Sequence, residues 1–367
     1  MKVELKRALR EDTKTEELSK KLRQLAYEKG PGAKLPTVRS LCDMLGTTRV
    51  TVGEVLDLLE AENILYRKDR QGIFVSPKIH SKHLCILFDS SNLNGPTISP
   101  FWSLLWVRLE QEAQHRAALR DETYAIHVVS SLQNAQSSVE DSILKLIQRG
   151  EAHGILAIGL NTLARPWIEQ LPVPYVTFAG PGRWIVQLDG SDVGQKAAHV
   201  LVKQGCKQIG FWTYNTPLES SNEFNGFRQA LAEHNATFYP ELVQQPHLIS
   251  PAVPSLQEQG YLLALNAYGP LNRMKPDGIF IADDMMTDGA LIAFEELGVK
   301  VGSDVHIVTH GNVGSPVLYG RARNMTIFDY DANDIVHAMY YLLDTLLIGQ
   351  EPSEEVIWIK SSQRLSR

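Results

Sequence analysis

The sequence predicts an α/β protein of two unequal parts, a small and mostly helical head followed by a large body with doubly wound parallel sheets. Apolar residues recur at helical spacing in the head, and short apolar runs alternate with helical stretches in the body. The charge also changes between the parts. Residues 1–80 contain 16 Lys and Arg against 12 Asp and Glu, which leaves 20 against 30 for the rest. A basic head therefore precedes an acidic body.

The bulk properties exclude several classes of protein. With 367 residues, 44% of them hydrophobic and 21% charged, the chain has the size of two or three domains and an ordinary globular composition. It shows neither a secretory signal nor an apolar run of about 18 residues, so we expect a cytoplasmic protein that binds no membrane. The three widely separated cysteines argue against disulfides and zinc. We expect no metal and no cofactor.

Two helices are predicted near the start of the head. Leu18, Leu22 and Leu25 mark the apolar face of a first helix between Thr13 and Glu28, which a Gly- and Pro-containing segment ends. The second helix begins after Pro36, and Thr37 is a suitable N-cap because its hydroxyl can accept a bond from a free backbone N–H. Their spacing predicts two short helices packed on a common core.

A third helix and a hairpin complete the head. Gly46 closes the second helix, and a three-residue turn leads into TTRVTVGEVLDLLE at residues 47–60, whose apolar positions fall at i, i+3, i+4 and i+7. The following ILYRKDRQGIFV has two apolar runs around a basic, Gly-containing tip, which is a hairpin signal. Helix, tight turn, helix and hairpin predict a winged helix-turn-helix.

The first turn of the third helix carries side chains suited to DNA. Arg49 can donate two hydrogen bonds to a guanine, and Thr48 and Thr51 can bond phosphate or offer a methyl group to thymine. The next position on that face, Gly53, costs about 1 kcal/mol of helix propensity relative to alanine. A surface helix with one arginine and several threonines is the alternative, and these residues alone leave both interpretations open.

The stretch from Lys34 to Val75 resembles the winged helix-turn-helix of the GntR family of bacterial transcription regulators. The matches, in order and spacing, are Leu35-Pro36-Thr37, Arg39, Leu41, Leu45, Thr48-Arg49, Thr51-Val52, Leu59, Ile64 and Gly72 to Val75. Gly53 replaces the second arginine of the family's recognition helix, and the glycine usual near Asn63 is absent. The resemblance implies double-stranded operator DNA as a partner, contacted by Lys34, Thr37, Arg39, Thr48, Arg49, Thr51, Gln71 and Gly72.

The body is expected to form two lobes. Apolar runs near residues 85, 125, 154, 175, 209, 278 and 306 suit buried strands, and helical stretches separate most of them. We expect a DNA-binding domain at 1–76, a linker at 77–82 and an effector domain at 83–367. Lobe 1 is placed at about 83–187 and 316–330, and lobe 2 at about 188–315 and 331–363, with a cleft between them.

Five segments of the body resemble, in family order, the LacI/GalR type of effector domain, a two-lobed periplasmic-binding-protein-like fold that binds small molecules, mostly sugars. They are SPFWSLLWVRLEQEA, HGILAIG, VQLDGSDVGQKAAHVLVKQGCKQIGFW, NEFNGFRQAL and PDGIFIADDMMTDGALIAFEELGVKVGSDVHIVTHGN. With a GntR head, this architecture is similar to the arabinose-repressor subgroup. The resemblance implies a homodimeric regulator, a repressor, controlled by a sugar-like effector. The alternative is a cytoplasmic small-molecule sensor with little DNA function.

Candidate effector residues follow predicted strands, since ligands of doubly wound sheets lie at the carboxyl ends of strands. Phe101 and Trp102 offer an aromatic face to a sugar ring or, alternatively, cap the core of the lobe. Arg183 and Trp184 lie near the predicted lobe crossover. Glu223 stands where the family pattern has an arginine, and either accepts bonds from an unusual ligand or is an ordinary surface residue.

Polar candidates in the second lobe come from two strand ends. Gly311 stands where the family pattern has an aspartate, which leaves His310 and Asn312 as the nearby polar candidates. Of the adjacent carboxylates, we expect Asp284 to cap a helix and Asp283 to reach the ligand. Neither a Gly-x-Ser-x-Gly elbow nor a P-loop is present, so no catalytic residues are assigned and an enzyme is not expected.

Overall fold

The computed structural model describes residues 2–62, 64–77, 79, 81–93, 99–129, 136–149, 152–215, 217–246, 254–270, 272–321 and 323–365. Asn63, and Lys78 and His80 of the predicted linker, lie outside the described residues. The chain divides into two compact units. The first comprises residues 1–84, 115–124 and 148–153, and the second comprises 85–114, 125–147 and 154–367. Within the described ranges, no helix is long and apolar enough to cross a membrane.

The first unit opens with three helices and a hairpin. These are α1 (Lys2–Lys29), α2 (Val38–Leu45), α3 (Arg49–Ala61), β1 (Leu65–Lys68) and β2 (Gly72–Val75). The two strands pair antiparallel. The backbone N–H of Leu35 donates to the carbonyl oxygen of Ile73 at 2.9 Å, so the segment before α2 pairs with β2 on its other side. The predicted winged helix-turn-helix is confirmed, although α1 begins well before the predicted start near Thr13.

A single apolar core holds these elements together. The stripe predicted on α3 is buried, with Val52, Val55 and Leu59 each at most 1% exposed. Leu22 of α1 and Leu41 of α2 meet this stripe in the same cluster. Because fully burying a side chain of this size contributes about 1.5–3 kcal/mol, the core fixes which face of α3 remains outside.

The rest of the chain is an alternation of strands and helices. The strands are β3 (Lys82–Asp89), β4 (Glu122–Val129), β5 (Gly154–Ile158), β6 (Tyr175–Phe178), β7 (Ile185–Leu188), β8 (Ile209–Trp212), β9 (Val243–Gln244), β10 (Gly278–Ile281), β11 (His306–Asn312), β12 (Thr326–Tyr330), β13 (Val356–Ile359) and β14 (Ser362–Gln363). The helices are α4 (Pro100–Leu119), α5 (Gln136–Gln148), α6 (Arg165–Ile168), α7 (Gly190–Lys203), α8 (Asn222–Glu233), α9 (Leu256–Tyr268), α10 (Asp284–Glu296) and α11 (Ala332–Leu347).

The described strands form two sheets besides the hairpin. The first sheet has the order β13-β7-β6-β5-β3-β4, and the second has the order β14-β12-β11-β10-β8-β9. Neighbours such as β5 and β6, or β8 and β10, are parallel, whereas β12 and β14 are antiparallel. Strands such as β5, β6, β8 and β10 are buried along their whole length, as expected for parallel strands covered on both faces. The predicted doubly wound body is confirmed.

The sequence assigns 316–330 to the first lobe and 331–363 to the second, and this assignment is wrong. Strand β12 pairs with β11 in the second sheet, whereas β13 pairs with β7 in the first, and α11 packs against β5, β6 and β7. The apolar runs TIFDY and VIWI suit a buried strand of either sheet. Only the pairing between strands decides which sheet each one joins.

Two pairs of helices, α7 with α8 and α9 with α10, pack closely at glycines. A Cβ atom at Gly226 of α8 would lie 2.2 Å from the carbonyl oxygen of Ser191 in α7. A Cβ atom at Gly289 of α10 would lie 1.8 Å from the carbonyl oxygen of Gln257 in α9. Since real Cβ contacts are never this short, glycine is required where each pair of backbones touches.

Candidate DNA-binding surface and ligand cavity

The turn between α2 and α3 is fixed by three short-range interactions. Thr37 caps α2, its hydroxyl oxygen accepting from the backbone N–H of Ser40 at 3.3 Å. Gly46 ends α2 with a left-handed φ of +59°, which glycine adopts without steric cost. Thr48 caps α3 by accepting from the N–H of Thr51 at 3.3 Å. The start of α3 is therefore held in place by its own sequence.

Side chains that leave the core gather at this start of α3. Thr48 and Arg49 are exposed, while Thr51 is half-buried, with its hydroxyl oxygen 3.0 Å from that of Thr48. Val50 is 71% exposed beside them. We did not single out Val50 from the sequence, although an apolar β-branched residue off the core stripe was a usable signal, since such a side chain can contact a thymine methyl group.

The wing carries an aromatic pair flanked by lysines. The rings of Tyr66 and Phe74 stack with their centroids 5.6 Å apart. The Nζ atoms of Lys34 and Lys68 lie 5.8 and 5.6 Å from the centroid of the Phe74 ring. Lys34 was predicted, whereas Lys68 was not. The arrangement places two ammonium groups over one face of the hairpin, where they attract phosphate.

Other charged and polar residues of the head divide between exposed and paired positions. Arg39, Gln71 and Gly72 are exposed, as the resemblance requires of DNA contacts. Arg67, by contrast, donates to Glu60 at 2.6 Å and to Asp57, and both bonds raise the pKa of its guanidinium group. Arg67 therefore ties the wing to α3.

A cavity of about 310 Å³ lies in the second unit. Residues at the carboxyl ends of strands in both sheets contribute to its lining: Ser99, Phe101, Trp102, Phe178, Ala179, Gln187, Leu188, Tyr214, Leu256, Asp283, Asp284, His310 and Asn312. Its volume is at the lower end of the range of about 300–1,000 Å³ for ligand pockets. Five of the eight predicted effector residues therefore meet in one cavity, namely Phe101, Trp102, Asp283, His310 and Asn312.

One side of the cavity is aromatic. The ring of Phe101 lies 5.3 Å from that of Trp102 and 5.9 Å from that of Phe178, measured between centroids. The next residue, Ala179, has a φ of +49°, which is strained for a residue with a Cβ atom. Such strain is concentrated at functional sites, and here it turns the chain along the cavity after β6.

The opposite side holds two adjacent carboxylates. Asp283 caps α10, its Oδ1 accepting from the N–H of Met286 at 2.8 Å, so the cap expected of Asp284 belongs to Asp283. Both carboxylates are buried and line the cavity. Burial, followed by the charge of Asp284, raises the pKa of Asp283 to about 7, and burial raises the pKa of Asp284 as well.

His310, Asn312 and Tyr214 add polar groups beside these carboxylates. The Nε2 atom of His310 lies 2.8 Å from the carbonyl oxygen of Ala282 and donates to it. Nδ1 is buried and has no hydrogen-bond partner among the described residues. Tyr214 also lines the cavity, and its phenolic hydroxyl can donate or accept a hydrogen bond.

Arg183 and Trp184 are not among the residues that line the cavity. Arg183 donates to Glu351 at 2.6 Å and to Glu355 at 2.8 Å, and its guanidinium group stacks 4.5 Å from the centroid of the Trp184 ring. Trp184 itself is buried. The expectation of a cavity role is therefore corrected, because ion pairs and stacking hold Arg183 in a partly exposed cluster.

Glu223 and the Gly311 position are also explained by packing. Glu223 accepts from the hydroxyl of Ser221 at 2.9 Å, lies against Gly190 and is absent from the cavity lining. A Cβ atom at Gly311 would lie 3.0 Å from Oδ1 of Asp329 and 3.1 Å from Arg364. Arg364 and Asp329 form a two-bond ion pair there, with N–O distances of 2.6 and 2.7 Å. A side chain at residue 311 would therefore crowd this pair, which would have to shift by a few tenths of an ångström.

Several cavity residues were missed from the sequence. Phe178, Tyr214 and Gln187 lie at or just beyond strand ends, and Leu256 begins a helix. The rule that ligands contact the carboxyl ends of parallel strands was a usable signal for the first three. The sequence has no comparable signal to predict that Leu256 lines the cavity.

Comparison with known proteins gives two family matches. Residues 14–75 match the family of bacterial regulatory proteins named gntR, and residues 198–366 match the periplasmic binding protein-like domain. The HTH-type transcriptional regulator YihL of Escherichia coli K12 is 50% identical over 46 residues, which cover 12% of this chain and 20% of that protein. The HTH-type transcriptional repressor PurR of Proteus mirabilis is 28% identical over 123 residues, 33% of each chain. The matched stretch thus spans only a fifth of YihL.

Solved structures support the same fold. A regulatory protein of the LacI family from Chloroflexus aggregans aligns with a TM-score of 0.61 at 17% identity, over 77% of this chain and 96% of that one. The complex of the transcriptional regulator CelR with cellobiose aligns with a TM-score of 0.59 at 15% identity, over 90% and 99%. At such identities these similarities establish the fold alone.

Each of the two family matches covers less than half of the chain, the first within the head and the second within the body. The head therefore matches the gntR family, and the body matches the periplasmic binding protein-like domain and has a fold similar to that of the LacI-family protein from Chloroflexus aggregans.

Proposed function

We propose that the protein is a transcriptional repressor whose affinity for operator DNA is controlled by a small sugar-like molecule bound in the cavity. The observation that carries the proposal is that one chain has both features. Its head has a capped α3 with Thr48, Arg49 and Val50 exposed, and its body has a cavity lined by aromatic and polar residues. DNA recognition requires the start of such a helix to reach base edges in the major groove.

The different roles of the side chains in the head support the DNA-binding part of the proposal. The apolar face of α3 is used by the core, and the caps are made by threonines, so Arg49 is left exposed for a guanine. Lys34 and Lys68 on the wing supply charge for phosphates. Thr37, Arg39, Thr51, Gln71 and Gly72 complete the proposed contacts.

Support for the effector part comes from the cavity and from similar proteins. Aromatic rings on one side and polar groups on the other suit a molecule with an apolar face and several hydroxyl groups. One structural neighbour, CelR, was solved with cellobiose, and the relative PurR is named a repressor. In our proposal Phe101, Trp102, Asp283, His310 and Asn312 contact the effector.

Regulation then requires two arrangements of the chain that differ in DNA affinity. A ligand shifts their balance only by its differential affinity for them, typically about 1–3 kcal/mol of coupling. We propose a homodimer, because paired heads read a pseudo-palindromic operator with half-sites related by a two-fold axis. Because it would act on DNA, we propose that the protein is cytoplasmic. We also propose that it binds its ligands without catalysing a reaction.

Selection of bound sequences from a random double-stranded DNA library, with the full chain, tests the proposal. We expect an inverted-repeat consensus whose affinity falls steeply with salt, since phosphate contacts release counterions. Recovery of no consensus, together with binding of a small molecule by the same preparation, would favour the alternative of a sensor with little DNA function.

A further inference from the structure

The charge of the cavity distinguishes it from a simple sugar pocket. Asp283 and Asp284 are 6% and 3% exposed, and both line the cavity. No lysine or arginine is among the described residues of the lining. A buried carboxylate is costly unless a partner compensates its charge. Of the lining residues, His310 lowers the pKa of both carboxylates through its charge, and one imidazole cannot balance two carboxylates.

Two groups lower the pKa of Asp284 through their charge, first His310 and then Arg364. The guanidinium group of Arg364 donates two hydrogen bonds to Asp329. Asp329 therefore offsets most of that positive charge. His310 donates through Nε2 to the Ala282 carbonyl, and its other nitrogen has no partner within the part of the chain that the structure describes.

The two sides of the cavity present different chemistry to one ligand. Phe101, Trp102 and Phe178 form a contiguous aromatic surface, and such surfaces accept the apolar face of a saturated ring or the charge of a nearby cation. The carboxylates, with Tyr214 and Asn312, form a surface rich in acceptors. The volume of about 310 Å³ suits a ligand of one ring.

We propose that the effector is a ring polyol that carries one protonated amine, an amino sugar in chemical class, with the ammonium group held by Asp283 and Asp284. This inference rests on the proposed function, since it specifies the effector of the same cavity. The ring lies against Phe101 and Trp102, and its hydroxyl groups meet Asn312 and Nδ1 of His310. Asp283 retains its cap on α10, in which Oδ1 accepts from the backbone N–H of Met286.

Calorimetric titration of the full chain with matched pairs of sugars tests the proposal. The probes are glucosamine, galactosamine and mannosamine, each set against glucose, galactose or mannose, with N-acetylglucosamine as the uncharged amide. We expect at least one amino sugar to bind about 10- to 100-fold more tightly than its neutral partner, as hydrogen bonds to charged groups predict.

Two variants connect this preference to the carboxylates. Asp284→Asn and Asp283→Asn keep the side-chain shape, and asparagine also caps helices, so both variants are expected to fold. Each should reduce the preference for the amino sugar to about threefold or less. Asp288→Asn is the matched control, because Asp288 lies on the same helix but pairs with Arg321 outside the cavity lining, and its preference should equal that of the wild type.

Three results overturn the proposal: neutral sugars that bind as tightly as amino sugars, no binding of any amino sugar at millimolar concentration, or a preference that both variants retain. Selection of an operator by the same protein reports separately on the proposed function. A chain that selects an operator but prefers neutral sugars refutes only the ligand class, whereas one that binds amino sugars but no specific DNA refutes the regulator.

Discussion

Individual side chains in the head divide between building the helix-turn-helix and reaching beyond it. Thr37 and Thr48 cap helices in addition to their proposed DNA contacts, and Arg67 is bound by carboxylates of α3. Arg49 and Val50 project from the same turn without serving a cap or the core. We therefore propose that base reading depends most on Arg49.

Replacing Arg49 with alanine should weaken specific operator binding by about 1–3 kcal/mol, because two hydrogen bonds to a guanine are lost. Fluorescence anisotropy with the selected operator and a scrambled duplex measures the loss. Arg165→Ala is the control, since Arg165 is an exposed residue of α6 that pairs with Glu169. Equal affinities of the Arg49 variant and the wild type would refute the assignment of α3.

The raised pKa of Asp283 predicts how stability depends on pH. The pKa of Asp283 is about 7 in the folded protein, against an ordinary value of 3.8. Between about pH 4 and 7 its carboxyl group is therefore protonated in the folded protein and ionised in the unfolded chain. Stability from this group is therefore fully present below pH 4 and falls as the pH rises toward 7, by at most about 1.4 kcal/mol per unit.

Asp283→Asn should remove this dependence, so its melting temperature relative to the wild type should increase from pH 5 to pH 8. Thermal unfolding in the absence of ligand measures the difference. The charged and titratable groups around Asp283 are Asp284 beside it, His310 on β11 and Tyr214 after β8. Arg364 acts on Asp284. A difference that is constant across this range would contradict a raised pKa at Asp283.

Among the elements, α3 and α8 show how the same residue type serves opposite needs. Gly53 in α3 has open space around the position of a Cβ atom, whereas a Cβ atom at Gly226 in α8 would lie 2.2 Å from the Ser191 carbonyl oxygen. The sequence shows a glycine inside a helix in both cases. Tertiary packing decides that one is dispensable for folding and the other is required.

Replacing each glycine with alanine should therefore change stability in opposite directions. Gly53→Ala should stabilise the head by up to about 1 kcal/mol through helix propensity. Gly226→Ala should destabilise the body by about 1–3 kcal/mol, because the helices must move apart. Chemical denaturation followed by circular dichroism measures both. Destabilisation of similar size in both variants would contradict the packing described here.

The open position at Gly53 also predicts a gain of function in α3. Arg49 and Gly53 are four residues apart and share a helix face, so an arginine at 53 reaches the same duplex. Gly53→Arg should tighten DNA binding and steepen its salt dependence by about one unit of slope if one phosphate is gained. Gly53→Ala is the control for propensity alone. An unchanged slope in Gly53→Arg would show that this face does not reach phosphate.

At the scale of the whole molecule, a basic head that matches the gntR family and an acidic body with a cavity are encoded in one chain. If the body controls the head, the effector and the operator must affect each other's affinity by the same factor. Saturation with the effector found by titration should change operator affinity by about 5- to 150-fold. Operator affinity that is identical with and without bound effector would refute coupling while leaving both binding activities intact.

The sequence by itself determined the local elements and the class of each part. Short-range chemistry determines the caps at Thr37 and Thr48 and the apolar stripe at Val52, Val55 and Leu59. It also determines the buried runs of the body, because hydrogen bonds of caps and the spacing of apolar residues depend on residues close together in the chain.

Only the tertiary structure decided which elements meet. Strands β12 and β13 are equally apolar, yet each joins the opposite sheet from the one predicted, since pairing depends on partners distant in the chain. The same dependence brings Asp284 into the cavity and keeps Arg183 and Glu223 out of its lining, because ion pairs and helix contacts formed across the fold fix where those side chains point.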